Sequence, residues 1–257
     1  AYIGKVADDQ LGQVFRHDLK AQGAFFGTEA LKDGPATGRC LINVTPDGQR
    51  TMATCLGAAS KVGPEDVDPA LVADSRILYL EGYLFDSLSG RAAFERACAI
   101  AAEAGRTRAI TLSDTFVVDR WRSDLLDFIT HAIDLVFANE AELLALFETS
   151  DFNRALNSLR EIAPLAAVTR SDQGSVIVQG DEIHLVPVYP VDQVVDTTGA
   201  GDQYAAGFMY GLSHDLSLET CGRLGSLAAA EVISHYGPRP MVSLRDLART
   251  HKLIKDI

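Results

Sequence analysis

The sequence is poor in positive charge, in cysteine and in long apolar runs. Its 257 residues hold 23 Lys+Arg against 35 Asp+Glu, a formal net charge of −12. A nucleic-acid polymer is gripped through its phosphates by a basic surface, so this balance argues against such a polymer as the main partner. The four cysteines, at positions 40, 55, 98 and 221, fall in no CxxC or other metal-ligand spacing, which speaks against a disulfide scaffold or a zinc site. The six histidines are scattered and form no HExxH string. No apolar run approaches the roughly 20 residues that a membrane-spanning helix needs. With 47% apolar and 23% charged residues the composition is that of an ordinary globular chain, long enough for one large domain.

What is present is alternation. Residues 76–81 (RILYLE), 107–112 (TRAITL), 134–138 (DLVFA) and 165–169 (LAAVT) read as strands. Between them lie helical stretches at 88–104, 116–132, 140–147 and 151–162. A meander is expected at 174–179, 182–187 and 191–195, and helices near 200–213, 217–235 and 243–251 close the chain. Repeated β-α units with short gaps predict an α/β fold, a mainly parallel sheet with helices on both faces, and ligands bound past the carboxyl ends of its strands. Residues 37–45 (TGRCLINVT) and 50–56 (RTMATCL) flank Pro46-Asp47-Gly48-Gln49, a hairpin signal and a candidate lid. Residues 1–6 read as the end of a strand.

The segment richest in chemistry is Val194-Val195-Asp196-Thr197-Thr198-Gly199-Ala200-Gly201-Asp202. A β-branched run enters a turn of small residues and then a helix. Gly199 and Gly201 let backbone N–H groups approach a ligand at a helix start, where the macrodipole favours an anion. A carboxylate at Asp202 would repel that anion unless it serves as the base for a hydroxyl attacking a phosphoryl group. The plainer alternative is an acid in a helix's first turn beside glycines that merely turn the chain.

The string DTTGAGD resembles the C-terminal signature of the PfkB (ribokinase-like) family of sugar and nucleoside kinases, and the match extends over essentially the whole chain. The resemblance implies a three-layer α/β/α fold with a small β lid. It also implies ATP-dependent transfer of a phosphoryl group to a hydroxyl, with Asp202 as base and Gly199, Ala200 and Gly201 as the anion hole. No GxxxxGK[ST] P-loop occurs. Asn139-Glu140-Ala141-Glu142 resembles the family's NxxE element, which implies that Asn139 and Glu142 organise Mg²⁺ and the phosphates, through water; taken alone it also reads as a helix cap. Val168-Thr169-Arg170-Ser171-Asp172-Gln173-Gly174 resembles the TxGxxG turn beside the nucleotide, with Ser171 where the first glycine is usual, which implies nucleotide contacts for Thr169 and Gly174. Asp196 and Thr198 fall where the family places a monovalent-cation loop, with residues 234–237 as the partner loop, which implies K⁺; a plain structural turn is the alternative. Ser226 falls on the helix that lines the adenine pocket, where small residues equally suit helix packing.

Within the family the resemblance is closest to adenosine kinase-like members. Thr37-Gly38-Arg39-Cys40 with Asp47-Gly48-Gln49-Arg50 is similar to their lid, Thr111-Leu112-Ser113-Asp114-Thr115-Phe116 to their LSxxF stretch, and residues 223–240 to their closing segment. Arg50 could reach the phosphoryl group and Phe116 could stack on a base, or each could be a solvated turn residue and a core aromatic. The expected substrate is adenosine, with a sugar as the alternative and a non-catalytic nucleotide-binding member as the second. The expected partners are a small nucleoside or sugar and ATP, with no nucleic-acid polymer and no membrane, in a cytoplasmic monomer or homodimer. Residues 1–257 are expected to be one kinase domain, N-terminally incomplete against the family pattern, with residues 37–56 in the lid.

Overall fold

A computed structural model describes residues 1–255. The described residues form two compact units: residues 1–42 with 52–108, and residues 43–51 with 109–255.

In the first unit, α1 (Gln10–Ala21) starts at Asp9, whose carboxylate accepts from Gly12 N–H and, through its other oxygen, from Thr37 N–H. Further along come α2 (Pro69–Asp74), β3 (Ile77–Glu81) and α3 (Leu88–Glu103). The apolar faces of α2 and α3 close a core of Val62, Val67, Val72, Ala93, Ala97 and Ala101. The strand expected at residues 1–6 does not form. Tyr2 N–H donates to Phe25 O and Leu31 N–H to Val6 O, but among the described residues the pairing of this segment is limited to an isolated bridge between Ala7 and Leu31. Separate contact points along an extended segment do not make the consecutive rungs of a ladder. The hairpin strands β1 (Arg39–Val44) and β2 (Arg50–Cys55) pair as a two-stranded sheet, the small β lid. Every residue of β2 is exposed.

The second unit carries β4 (Thr107–Thr111) from Ala109 onward, α4 (Thr115–Ala132), β5 (Leu135–Asn139), α5 (Glu140–Leu146), α6 (Phe152–Ile162), β6 (Leu165–Thr169), β7 (Ser175–Gln179), β8 (Glu182–Val186), α7 (Ala200–Ser213), α8 (Leu218–Val232) and α9 (Leu244–Thr250). Strands β4, β5 and β6 are parallel and β7 and β8 turn antiparallel, in the order β4-β5-β6-β7-β8 within this unit. The first four residues of β5 and of β6 are buried, as expected for strands covered on both faces. The fold is thus a three-layer α/β/α arrangement with a mixed sheet. The strand expected at 191–195 is absent. Val195 N–H donates instead to Ile233 O in the loop after α8 (2.8 Å), so its β-branched run meets a loop and not a strand.

Candidate active site

The register Asn139↔Thr169 and Thr169↔Ser175 gathers the ends of β5 and β6 with the start of β7 on one edge of the sheet. Leu112 N–H donates to Phe137 O, which brings the chain after β4 to the same edge. Tyr204, one turn into α7, donates its hydroxyl to Ser175 Oγ (2.7 Å), so the start of α7 also lies at this carboxyl edge.

That start is unlike the others. Among the described residues, each of the other eight α-helices is capped by a side chain, such as Asp114 on α4 or Ser217 on α8, whereas none caps α7. Its N-cap is Gly199 at φ +81°, where an added Cβ would also lie 2.7 Å from Pro238 Cβ. An added Cβ on Gly201 would meet nothing within 4 Å. The Ala200 N–H makes a long bond to Thr197 O (3.3 Å), and the rest of the first turn offers backbone donors and the positive end of a helix to open space. Asp202 stands in this turn. Its side chain reaches solvent, yet the surrounding protein desolvates it enough to raise its pKa above the ordinary carboxylate range, with the Arg50 guanidinium pulling the other way.

Arg50 arrives from the hairpin tip. Its Nη1 donates to Thr197 Oγ1 (2.6 Å), and the Thr197 hydroxyl donates to Gly48 O (3.2 Å). Asp196 is buried; burial pulls its pKa up, but donors from Thr198 Oγ1 (2.6 Å), Thr198 N (2.9 Å) and Gly237 N (3.0 Å) hold it below the usual value. The two loops expected to face each other around a monovalent cation are thus tied together by this carboxylate.

Asn139 and Glu142 form a reciprocal capping box on α5. The Asn139 side chain accepts from Glu142 N–H, and Glu142 accepts from Asn139 N–H and Nδ2. Glu142 is only 5% exposed. Burial raises its pKa to about 7 against the lowering by the Asn139 amide, and the nearby charge of Asp114 raises it further. A buried carboxylate pushed up in this way is a group that a cation would suit. Among the described residues no cluster of three or more His, Cys, Asp or Glu could hold a metal, so a cation here would take most of its ligands from phosphate and water.

The remaining candidates are placed unequally. Thr169 ends β6, and Gly174 closes the following turn at φ +83°, where a Cβ would lie 2.1 Å from Val186 O. Ser171 also sits in the left-handed region, at φ +51°, which accounts physically for the glycine usual there. The Ser226 hydroxyl is engaged by Pro187 O (3.0 Å). Phe116 is 44% exposed at the start of α4, with the Arg120 guanidinium 5.7 Å from its ring centre, so it is not a core aromatic. Two contacts escaped the sequence analysis. Thr197, between the two residues singled out, holds the hairpin tip, and Arg170 grips Glu140 through two bonds of 3.1 Å while lying 3.9 Å over the Phe152 ring. Arg170 and Glu140, the two members of this bidentate pair, are 30 residues apart in sequence and leave no local pattern.

A family model described as pfkB family carbohydrate kinase matches residues 1–244. The chain is 52% identical to an adenosine kinase from Sinorhizobium meliloti whose structure superposes with a TM-score of 0.96, covering 97% of this chain and 77% of that one. It is 47% identical to a probable sugar kinase from Rhizobium etli (TM-score 0.97, covering 98% and 77%). It is also 28% identical to an uncharacterized sugar kinase of Archaeoglobus fulgidus over 246 residues, 93% of each chain.

Proposed function

This chain belongs to the pfkB family, whose ribokinase-like members are ATP-dependent phosphotransferases, and from that premise we propose that it transfers the γ-phosphoryl group of ATP to the 5′-hydroxyl of adenosine. One observation carries the reading: an uncapped, glycine-lined helix start with an open face holds a carboxylate whose pKa is raised. Asp202 takes the proton of the attacking hydroxyl. The new O–P bond forms as the bond from the γ-phosphorus to the β,γ-bridging oxygen breaks, and ADP leaves with that electron pair. N–H groups of Gly199, Ala200 and Gly201 donate to the oxygens on which charge develops, and Arg50 adds a guanidinium from the lid. Mg²⁺, when bound, would screen the phosphate charge, and Asn139 and Glu142 would hold it through water. Thr169 and Gly174 shape the turn beside the nucleotide, and Ser226 belongs to the helix along its base. Asp196 and Thr198, facing residues 234–237, would position the carbonyls that hold K⁺. Phe116, being exposed, offers its ring as a stacking face for the acceptor's base.

The acceptor is read as adenosine from the likeness to the Sinorhizobium protein. A sugar is the second reading, favoured by the likeness to the Rhizobium protein. ADP release measured across adenosine, ribose and fructose tests this. Turnover of adenosine at the highest kcat/KM is expected; turnover of a sugar alone would replace the acceptor, and turnover of none would remove the kinase reading.

A further inference from the structure

The loop at residues 233–241 braces the start of α7 from outside. Ile233 O accepts from Val195 N–H (2.8 Å), Gly237 N–H donates to Asp196 Oδ2 (3.0 Å), Gln203 Nε2 donates to Pro238 O (3.3 Å), and Pro238 stands against Gly199. Something must hold this loop in turn, and one side chain does. Glu231, in the last turn of α8, accepts at Oε1 from Met241 N–H (2.8 Å), and His235 Nε2 lies 3.3 Å from the same oxygen. A single carboxylate so joins the far end of the loop to its beginning.

Glu231 is not placed there for the benefit of its own helix. Its side chain is 8% exposed, its Oε2 is buried with no hydrogen-bond partner, and a carboxylate beside a helix C-terminus meets the negative end of the dipole. We infer that Glu231 is a positioning residue for phosphoryl transfer: by closing the 233–241 loop it fixes the backbone of Gly199–Asp202 against which the transferred group is stabilised. This rests on the reading of the α7 start as the phosphoryl site.

The test compares the parent with Asp202→Asn, Glu231→Leu, Glu231→Gln and Met241→Pro, with the acceptor that the parent turns over. Glu231→Leu removes the acceptor oxygen, Glu231→Gln keeps one, and Met241→Pro removes the donor without touching α8. A group that only positions should cost kcat about tenfold in Glu231→Leu and in Met241→Pro, with KM for ATP changed less than about threefold, and Glu231→Gln should recover at least about half. A folded Glu231→Leu that keeps kcat within about twofold, or a Gln variant that recovers nothing, overturns the inference. Should Glu231→Leu fail to fold, Met241→Pro decides by the same criterion. Hydrogen exchange reads the bracing apart from turnover. The Val195 and Gly237 amides should lose protection in Glu231→Leu while those of β5 and β6 keep theirs, and unchanged protection contradicts the bracing. If Asp202→Asn turns over like the parent, the phosphoryl-site reading fails by itself, and the exchange result still decides whether Glu231 holds the loop.

Discussion

At the residue scale the site is defined by what individual positions do without. Gly201 has no packing reason to be glycine, since a Cβ there meets nothing. Replacing it by alanine should leave the protein as stable as before, or more so by up to about 1 kcal/mol from helix propensity. The methyl group would occupy the space where phosphoryl oxygens approach, so kcat should fall by at least about tenfold if the first-turn donors act as proposed. A melting curve and an ADP-release assay on Gly201→Ala read the two effects separately; full activity would mean that the open face is not used. Glu142 makes a different prediction. Its folded pKa of about 7 stands above the ordinary 4.5, so between those values the folded chain keeps a proton that the unfolded chain has lost. Stability therefore falls as pH rises through this window, and the loss, on the order of 3 kcal/mol, is complete above about pH 7. Glu142→Gln retains the cap's acceptor and removes the titration. Its melting temperature, measured from pH 5 to 8, should gain on the parent's across the window, and parallel curves would refute the assignment.

At the element scale, the alternation of strands and helices was readable because apolar spacing is local. The strand expected at 134–138 is β5 (Leu135–Asn139), and that at 165–169 is β6 (Leu165–Thr169). The misses share a cause. The Val194-Val195 pair has the composition of a strand, but a strand also needs a neighbour, and Val195 finds only the carbonyl of Ile233. The turn between β6 and β7 shows the converse, a feature whose demand is visible only in the backbone. Gly174 has φ +83° and its missing Cβ is replaced by Val186 O, at 2.1 Å from where that atom would be. Gly174→Ala should cost upwards of about 2 kcal/mol, through the strained φ and the displaced carbonyl together, read as a lowered denaturation midpoint. A loss below about 0.5 kcal/mol would show that the β7–β8 hairpin yields easily.

At the scale of the whole molecule, the candidate site draws on segments far apart in sequence. Arg50 and Thr197, separated by 147 residues, meet at 2.6 Å, and Gly237 reaches back 41 residues to Asp196. The motif DTTGAGD marked the centre of the site because its function is local to one helix start. It could not show that Thr197 holds the lid tip, that Arg170 locks onto Glu140, or that Glu231 closes the loop behind Pro238, because each of these depends on a partner supplied by the fold. Phe116 illustrates the same limit: its residue type favoured a core position over a stacking surface, and only its exposure reverses that. The central claim is that all these segments converge to set Asp202 as the base for an attacking hydroxyl. It is tested most directly by the turnover of Asp202→Asn alongside its affinity for ATP. The account predicts a fall in kcat of roughly 10²- to 10⁴-fold with ATP binding nearly unchanged. Turnover equal to the parent's would contradict it.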